Sequence, residues 1–253
     1  MNVEALTLVA VGAAKSAGTE IMEVYGAPDI GLAYKEDDSP LTRADKAAHH
    51  CILEILQETG LPVLSEEGEE VPYAVRSQWD WFWMVDPLDG TKEFVKRNGE
   101  FTVNIALIHE GRPVLGVVYA PVMGWMYWGS EAEGAWKQVG DRPPFRLGQV
   151  QKEQVGTMVV SLSHPSARTR AFMADYPEAS VISMGSSLKF MLLAEGKAEI
   201  YPRFAPCMEW DTAAAHGVLK AMGGQVLQAE SDQSLEYNKK DLHNPYFIAS
   251  TVT

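Results

Sequence analysis

Four carboxylates on three separate stretches have the types and placement for cation chemistry: Glu66, the pair Asp86 and Asp89 in Asp86-Pro87-Leu88-Asp89-Gly90-Thr91, and Asp211 in Trp210-Asp211-Thr212-Ala213-Ala214. Each stretch joins an apolar run to a turn or a helix start, where a fold can hold an anion at the edge of its core. Two carboxylates about 4 Å apart repel by roughly 4 kcal/mol at an effective dielectric near 20, so four brought together by folding call for cations. The pattern reads as one polynuclear magnesium site.

Within the hexapeptide, Pro87 fixes one φ and Gly90 lets backbone approach a ligand closely. The two aspartates, three residues apart around a turn, can face one cation, and a short helix expected over Thr91 to Arg97 offers its first amides to a phosphate. The plain alternative is a Pro-Asx-Gly turn with Asp89 as helix cap. Haloacid dehalogenase phosphatases also place Asp-Gly-Thr at a strand end, but their aspartyl nucleophile stands two residues before a second Asp. Pro87 occupies that position here, so a metal-activated water suits the sequence better than a covalent phosphoryl intermediate.

The other candidates each have a structural alternative. Glu66 lies in an acidic run that could be a solvated face, and its place directly after the Pro62 to Leu64 strand is what singles it out. Asp211 precedes an Ala-rich helical stretch closed by Gly223-Gly224, so it could be an N-cap, a ligand or both. Asp45 follows Thr42 by three residues at a helix start, a capping-box pattern, or else is a carboxylate that orients another side chain of the site. His49 and His50 are adjacent, point to different helical faces and receive no role. Gly185-Ser186-Ser187-Leu188-Lys189-Phe190 offers hydroxyls, N–H groups and one ammonium suited to a phosphate or ribose. Tyr201-Pro202-Arg203 ends a strand where the arginine could fork onto a second phosphate and the tyrosine could stack on a base.

The elements that must position these groups follow from periodicity. Helical spacing covers about 3–25 and 42–59, and Trp81 to Val85 is continuously apolar, as in a strand buried on both faces. Phe101 to Ile108 and Val114 to Val122 form a hairpin around His109-Glu110-Gly111-Arg112, and Trp125 to Trp136 adds short strands. The charged, Pro-rich stretch 139–155 is the expected internal boundary, dividing an N-terminal α+β part (1–145) with most of the ligands from a C-terminal α/β part (146–253) that completes the site. Beyond it strands near 157–162, 180–184, 198–201, 224–228 and 246–250 alternate with helices near 165–174, 187–195 and 211–222, a second α/β layer.

Composition narrows the partners. A formal charge of -13 over 253 residues repels a polyanion, so nucleic-acid polymers are poor ligands, while bound divalent cations still admit a small phosphate ester. No stretch of about 20 apolar residues marks a membrane span, and two cysteines make no disulfide framework, which fits a reducing cytoplasm. Peripheral contact with the cytoplasmic face of the inner membrane stays open.

Together, Glu66, the Asp86 to Thr91 hexapeptide and Trp210-Asp211-Thr212-Ala213-Ala214 resemble, in order and spacing, the three metal motifs of the inositol-monophosphatase-like superfamily of Mg²⁺-dependent, lithium-sensitive phosphatases. Trp83 to Phe94, Arg97 to Ile108, Ser39-Pro40-Leu41-Thr42-Arg43-Ala44-Asp45, Gly185 to Phe190 and Tyr201 to Phe204 look like its CysQ-type 3'(2'),5'-bisphosphate nucleotidases. The resemblance implies a layered α/β/α/β/α sandwich, monomeric or homodimeric, with two or three Mg²⁺ held by Glu66, Asp86, Asp89, Asp211 and the main-chain oxygen of Leu88. It implies that Asp45 and Thr91 position the attacking water and that Glu66 is also catalytic. Substrate contacts would come from Glu66, Leu88, Asp89, Gly90, Thr91, Asp211, Gly185, Ser186, Ser187, Lys189, Tyr201 and Arg203. The implied reaction is hydrolysis of adenosine 3',5'-bisphosphate to AMP in support of sulfur assimilation. An inositol or sugar-phosphate phosphatase, and a non-catalytic metal or nucleotide sensor, are the alternatives. Two positions depart from inositol phosphatases: Arg203 stands where they tend to carry an acidic group, and Glu209, in place of an apolar residue, is expected to alter only the rim of the site.

Overall fold

The computed structural model describes residues 1–35, 39–148, 152–161 and 166–252. The chain runs through α1 (Val3–Gly26), the short strands β1 (Ala33–Tyr34) and β2 (Pro40–Leu41), α2 (Arg43–Gln57), β3 (Val63–Ser65), α3 (Tyr73–Arg76), β4 (Trp81–Asp89) and α4 (Thr91–Val95). A meander follows: β5 (Thr102–His109), β6 (Arg112–Ala120), β7 (Trp125–Ser130), β8 (Gly134–Val139) and β9 (Phe145–Arg146). The remainder is β10 (Thr157–Val160), α5 (Ala167–Ala174), β11 (Ser180–Ser183), α6 (Leu188–Ala194), β12 (Ile200–Arg203), a 3-10 turn over Glu209–Asp211, α7 (Ala213–Lys220), β13 (Gln225–Gln228) and β14 (Phe247–Ser250). The expected ends of a strand at 162 and a helix at 165 lie outside the described residues.

The strands form a two-stranded ribbon, β1-β2, a seven-stranded sheet, β3-β4-β5-β6-β7-β8-β9, and a five-stranded sheet, β11-β10-β12-β14-β13. Side chains of a strand alternate between faces, and the two faces of the larger sheet feed different cores. Trp83, Val85, Ile105 and Leu107 pack under α1 and α2. Phe82, Met84, Ala106 and Ile108 join α6, α7 and the inner face of the smaller sheet. Met158, Val160 and Ile200 make a third core beneath Phe172 and Met173 of α5. The order is therefore helices, sheet, helices, sheet, helix, the α/β/α/β/α sandwich that the resemblance implied. The middle core draws on both halves of the chain, and the expected division at 145/146 runs through β9, which pairs with β8.

Close approach of α7 to the larger sheet depends on Gly116 of β6: a Cβ there would lie 1.9 Å from the carbonyl oxygen of Ala214. This packing brings the start of α7, and with it Asp211, down onto β4 and β5.

Candidate metal centre

β4 runs through Asp89 instead of stopping near Val85, and α4 ends at Val95 instead of Arg97. The strand continues because it carries a bulge. Asp86 pairs with Asn104 and Asp89 with Thr102, so three steps along β4 match two along β5. In a regular strand residues three apart face opposite sides; the extra residue restores both aspartates to the side facing α6 and α7. Leu88 turns to the other face and is buried with the α1/α2 core. Gly90 follows in a left-handed conformation, φ 96, where an added Cβ would also meet the Glu100 carbonyl oxygen at 3.2 Å.

Asp86, Asp89 and Asp211 each offer an oxygen within 4.8 Å of the others, the metal-capable group of carboxylates found among the described residues. Asp86 is buried with its Oδ1 accepting from Leu88 N at 3.0 Å. Burial, and then Glu66, Asp89 and Asp211, push its carboxyl well above the usual range. Asp211 is pushed up to about 8 by burial and by Asp89. Charges held this close and this dry resist ionisation unless a cation shares the space, so the donor set fits a hard divalent metal.

Glu66 is placed differently. Its N–H bonds Val85 O at 3.1 Å, extending the parallel β3-β4 ladder, so it stands beside Asp86 at the carboxyl ends of neighbouring strands. Its Oε1 accepts from Lys35 Nζ at 2.7 Å, and Lys35 also reaches Glu67 Oε1 at 2.5 Å. Burial still raises the Glu66 carboxyl, opposed by the Lys35 charge. Lys35 was invisible in the sequence because nothing in its spacing ties it to Glu66.

Asp45 closes the capping box with one oxygen and reaches Thr91 with the other. Its Oδ2 accepts from Thr42 N (2.7 Å) and Thr42 Oγ1 (2.6 Å) in a capping box, while Oδ1 accepts from Thr91 Oγ1 at 3.1 Å. Burial pushes its carboxyl upward. The Thr91 hydroxyl also lies 3.3 Å from the Leu88 carbonyl.

Asp211 is not the cap of α7. It closes the 3-10 turn, its Oδ2 accepts from Met208 N at 2.8 Å, and Thr212 occupies the N-cap of the helix. Glu209, expected at the rim, is wholly buried, since its carboxylate is enclosed by the loop at 238–239.

The serine turn faces inward. Asp89 Oδ2 accepts from Ser186 Oγ (2.6 Å), Ser187 N (2.7 Å) and Asn104 Nδ2 (3.4 Å), while Ser187 Oγ donates to the Asp211 carbonyl at 2.7 Å. Gly185 N donates to Glu100 Oε2 at 2.8 Å. Donors that the sequence suggests for a phosphate or ribose thus also hold Asp89 and the Asp211 main chain in place. Thr102 and Asn104 complete the network through Ser186 and Ser187. Two polar residues on one face of a buried apolar strand were the sequence signal for them, passed over beside the acidic motifs.

Lys189 is buried, with Nζ on the carbonyls of Ser186 (2.6 Å) and Met184 (3.3 Å), and burial lowers it to about 8. Tyr201 is buried edge-on against Phe190 and Phe247, so its ring is not free to stack on a base. Arg203 donates to Ser161 Oγ (3.0 Å) and Pro206 O (2.9 Å), yet its buried Nε has no hydrogen-bond partner among the described residues. All three line a cavity of about 380 Å³ that also reaches Asp89, Gly90, Gly185 and Asp211.

The profile of the inositol monophosphatase family matches residues 2–252. The 3'(2'),5'-bisphosphate nucleotidase CysQ of Salmonella typhimurium is 48% identical over 239 residues, 92% of this chain and 95% of that protein. The crystal structure of CysQ from Bacteroides thetaiotaomicron, a bacterial member of the inositol monophosphatase family, superposes with a TM-score of 0.88 at 46% identity, covering 98% of this chain and 97% of that one. The extragenic suppressor protein SuhB of Bartonella henselae shares the fold at a TM-score of 0.78 and 23% identity, covering 97% of this chain and 93% of that one.

Proposed function

The chain belongs to the inositol monophosphatase family, and on that premise we propose that it is a metal-dependent 3'(2'),5'-bisphosphate nucleotidase, hydrolysing adenosine 3',5'-bisphosphate to AMP and phosphate in support of sulfur assimilation. The observation that carries the chemistry is the convergence of Asp86, Asp89 and Asp211 on one point. These three, with Glu66 and the Leu88 carbonyl, would hold two or three Mg²⁺. Such ions, when bound, supply the positive charge that acidifies a water and stabilises the departing oxygen.

The chain's own groups do the rest. Thr91 Oγ1, its proton directed to Asp45 Oδ1, presents lone pairs that orient a water toward phosphorus and relay its proton to the carboxylate. A bond forms from that water oxygen to phosphorus, the bond from phosphorus to the ribose oxygen breaks with its electron pair going to that oxygen, and solvent protonates the departing oxygen to a hydroxyl. Asp89 is kept on target by Ser186, Ser187 and Asn104. The Arg203 Nε, unpartnered among the described residues, and the Lys189 ammonium line the same cavity and suit the phosphate that is not cleaved.

The test is phosphate release with Mg²⁺ from adenosine 3',5'-bisphosphate, 3'-AMP, inositol 1-phosphate and fructose 1,6-bisphosphate. The bisphosphate nucleotide should turn over fastest. Arg203→Ala should cost about 2–4 kcal/mol in kcat/KM on it and far less on 3'-AMP, which has no second phosphate to lose. Preference for inositol 1-phosphate overturns the substrate assignment, and tight nucleotide binding without turnover points to a sensor.

A further inference from the structure

We propose that Glu209 is a positioning residue for the metal site, holding the turn that carries Asp211 through a strap, Asn238 to Lys240, clamped between two buried charges. The inference rests on the reading of Asp211 as a metal ligand. Glu209 is 0% exposed. Its carboxylate accepts from Asn238 N (2.5 Å), Lys239 N (3.0 Å) and Lys239 Nζ (2.6 Å).

On the other side of the strap lies Arg76, at the end of α3 and 4% exposed. It donates through Nη1 to Asn238 Oδ1 and the Lys239 carbonyl, both at 2.7 Å, and through Nη2 to the Lys240 carbonyl at 3.0 Å. Asn238 Nδ2 returns a bond to the Arg76 carbonyl at 2.7 Å. Peptide N–H groups thus face the anion and peptide carbonyls face the cation. Asn238 adopts φ 71, a left-handed conformation that asparagine tolerates better than most residues, as the strap bends between them.

A buried carboxylate is costly unless its donors stay with it, so the Glu209 side chain and the strap must hold one relative position. Glu209 opens the turn that Asp211 closes. Its N–H donates to Leu242 O at 2.9 Å and its carbonyl accepts from Thr212 N at 3.1 Å. Asn244 Nδ2 adds bonds to Met208 O (2.8 Å) and Thr212 Oγ1 (3.0 Å). These other ties to the 242–244 segment are neutral, whereas the Glu209 carboxylate brings a charge. A charged anchor two residues from a ligand fixes where that ligand stands, as groups behind a coordinating residue do at other metal sites.

Calorimetric Mg²⁺ titration of the full chain without substrate, paired with thermal melting, tests the proposal on wild type, Glu209→Gln, Lys239→Met and Asp211→Asn. Glu209→Gln should weaken Mg²⁺ binding about 10-fold, and Lys239→Met should move it the same way by less. A merely structural role would lower the melting temperature and leave affinity alone. If Glu209→Gln does not fold, Lys239→Met carries the test by itself. Loss of binding in Asp211→Asn with wild-type affinity in the Glu209 and Lys239 variants overturns the clamp. Wild-type affinity in Asp211→Asn overturns the assignment of Asp211.

Discussion

Asp45 engages a helix cap and the proposed water-orienting threonine through different oxygens. The oxygen turned to Thr42 closes the first turn of α2, and the other accepts from Thr91 at the start of α4. The two roles separate by mutating the partners. Thr42→Ala should cost about 1 kcal/mol of stability, the usual worth of a helix cap, with kcat nearly unchanged. Thr91→Val should leave the melting temperature close to wild type and lower kcat by about 10²-fold or more, since the water loses its acceptor. Full turnover in Thr91→Val at saturating Mg²⁺ would remove the pair from the mechanism. Sequence spacing disclosed the capping box but not this division, because a one-dimensional pattern cannot bring Thr91 to the far side of Asp45. Serines 186 and 187 illustrate the converse: their type suggested a substrate contact, and only the folded arrangement reveals that they also bond Asp89 and the Asp211 carbonyl.

The elements that matter most are the bulged end of β4 and the start of α7. Alternating or continuous apolar runs made β4, β5 and β6 legible, since their two faces meet two different cores. The bulge was not legible. Asp86-Pro87-Leu88-Asp89 reads as a turn, and only pairing with Asn104 and Thr102 keeps it in the sheet. The contacts of Lys35 and Arg76, and the burial of Glu209 behind the site instead of at its rim, were not legible for a related reason, their partners lying far along the chain or on backbone. The seat of α7 gives a prediction at this scale. Gly116→Ala drives a Cβ into the Ala214 carbonyl, which backbone cannot yield cheaply, and should destabilise by at least about 3 kcal/mol. Gly12→Ala, in the interior of α1 with nothing within 4 Å, should stabilise by about 0.5–1 kcal/mol. Urea unfolding of the two variants checks the pair, and equal effects would mean that α7 does not sit against β6 as described.

For the whole molecule, charge and burial set the conditions under which the fold survives. A formal net charge of -13, the central carboxylates included, disfavours long polyanions. Acid acts on a different group. His216, on α7 in the middle core, is buried, with Nδ1 2.9 Å from the Tyr237 hydroxyl and Lys220 one turn further along the helix. Burial, with a smaller contribution from Lys220, lowers it from 6.5 to about 3. The unfolded chain therefore takes up a proton between about pH 6.5 and pH 3 that the folded chain refuses. Neutral His216 contributes its full share of stability above pH 6.5, and that share falls as pH drops through this window, by about 2 kcal/mol at pH 5. Carboxylates raised in the fold, such as Asp86, oppose this trend by protonating more readily when folded, so the total slope is a sum of both. Comparing variants isolates the histidine. His216→Gln keeps a polar partner for Tyr237 and cannot charge, so the stability gap between it and wild type should shift in its favour by about 2 kcal/mol on going from pH 7 to pH 5. Metal-free urea titrations at the two pH values measure that gap, and parallel stability curves would show that His216 titrates normally within the folded core.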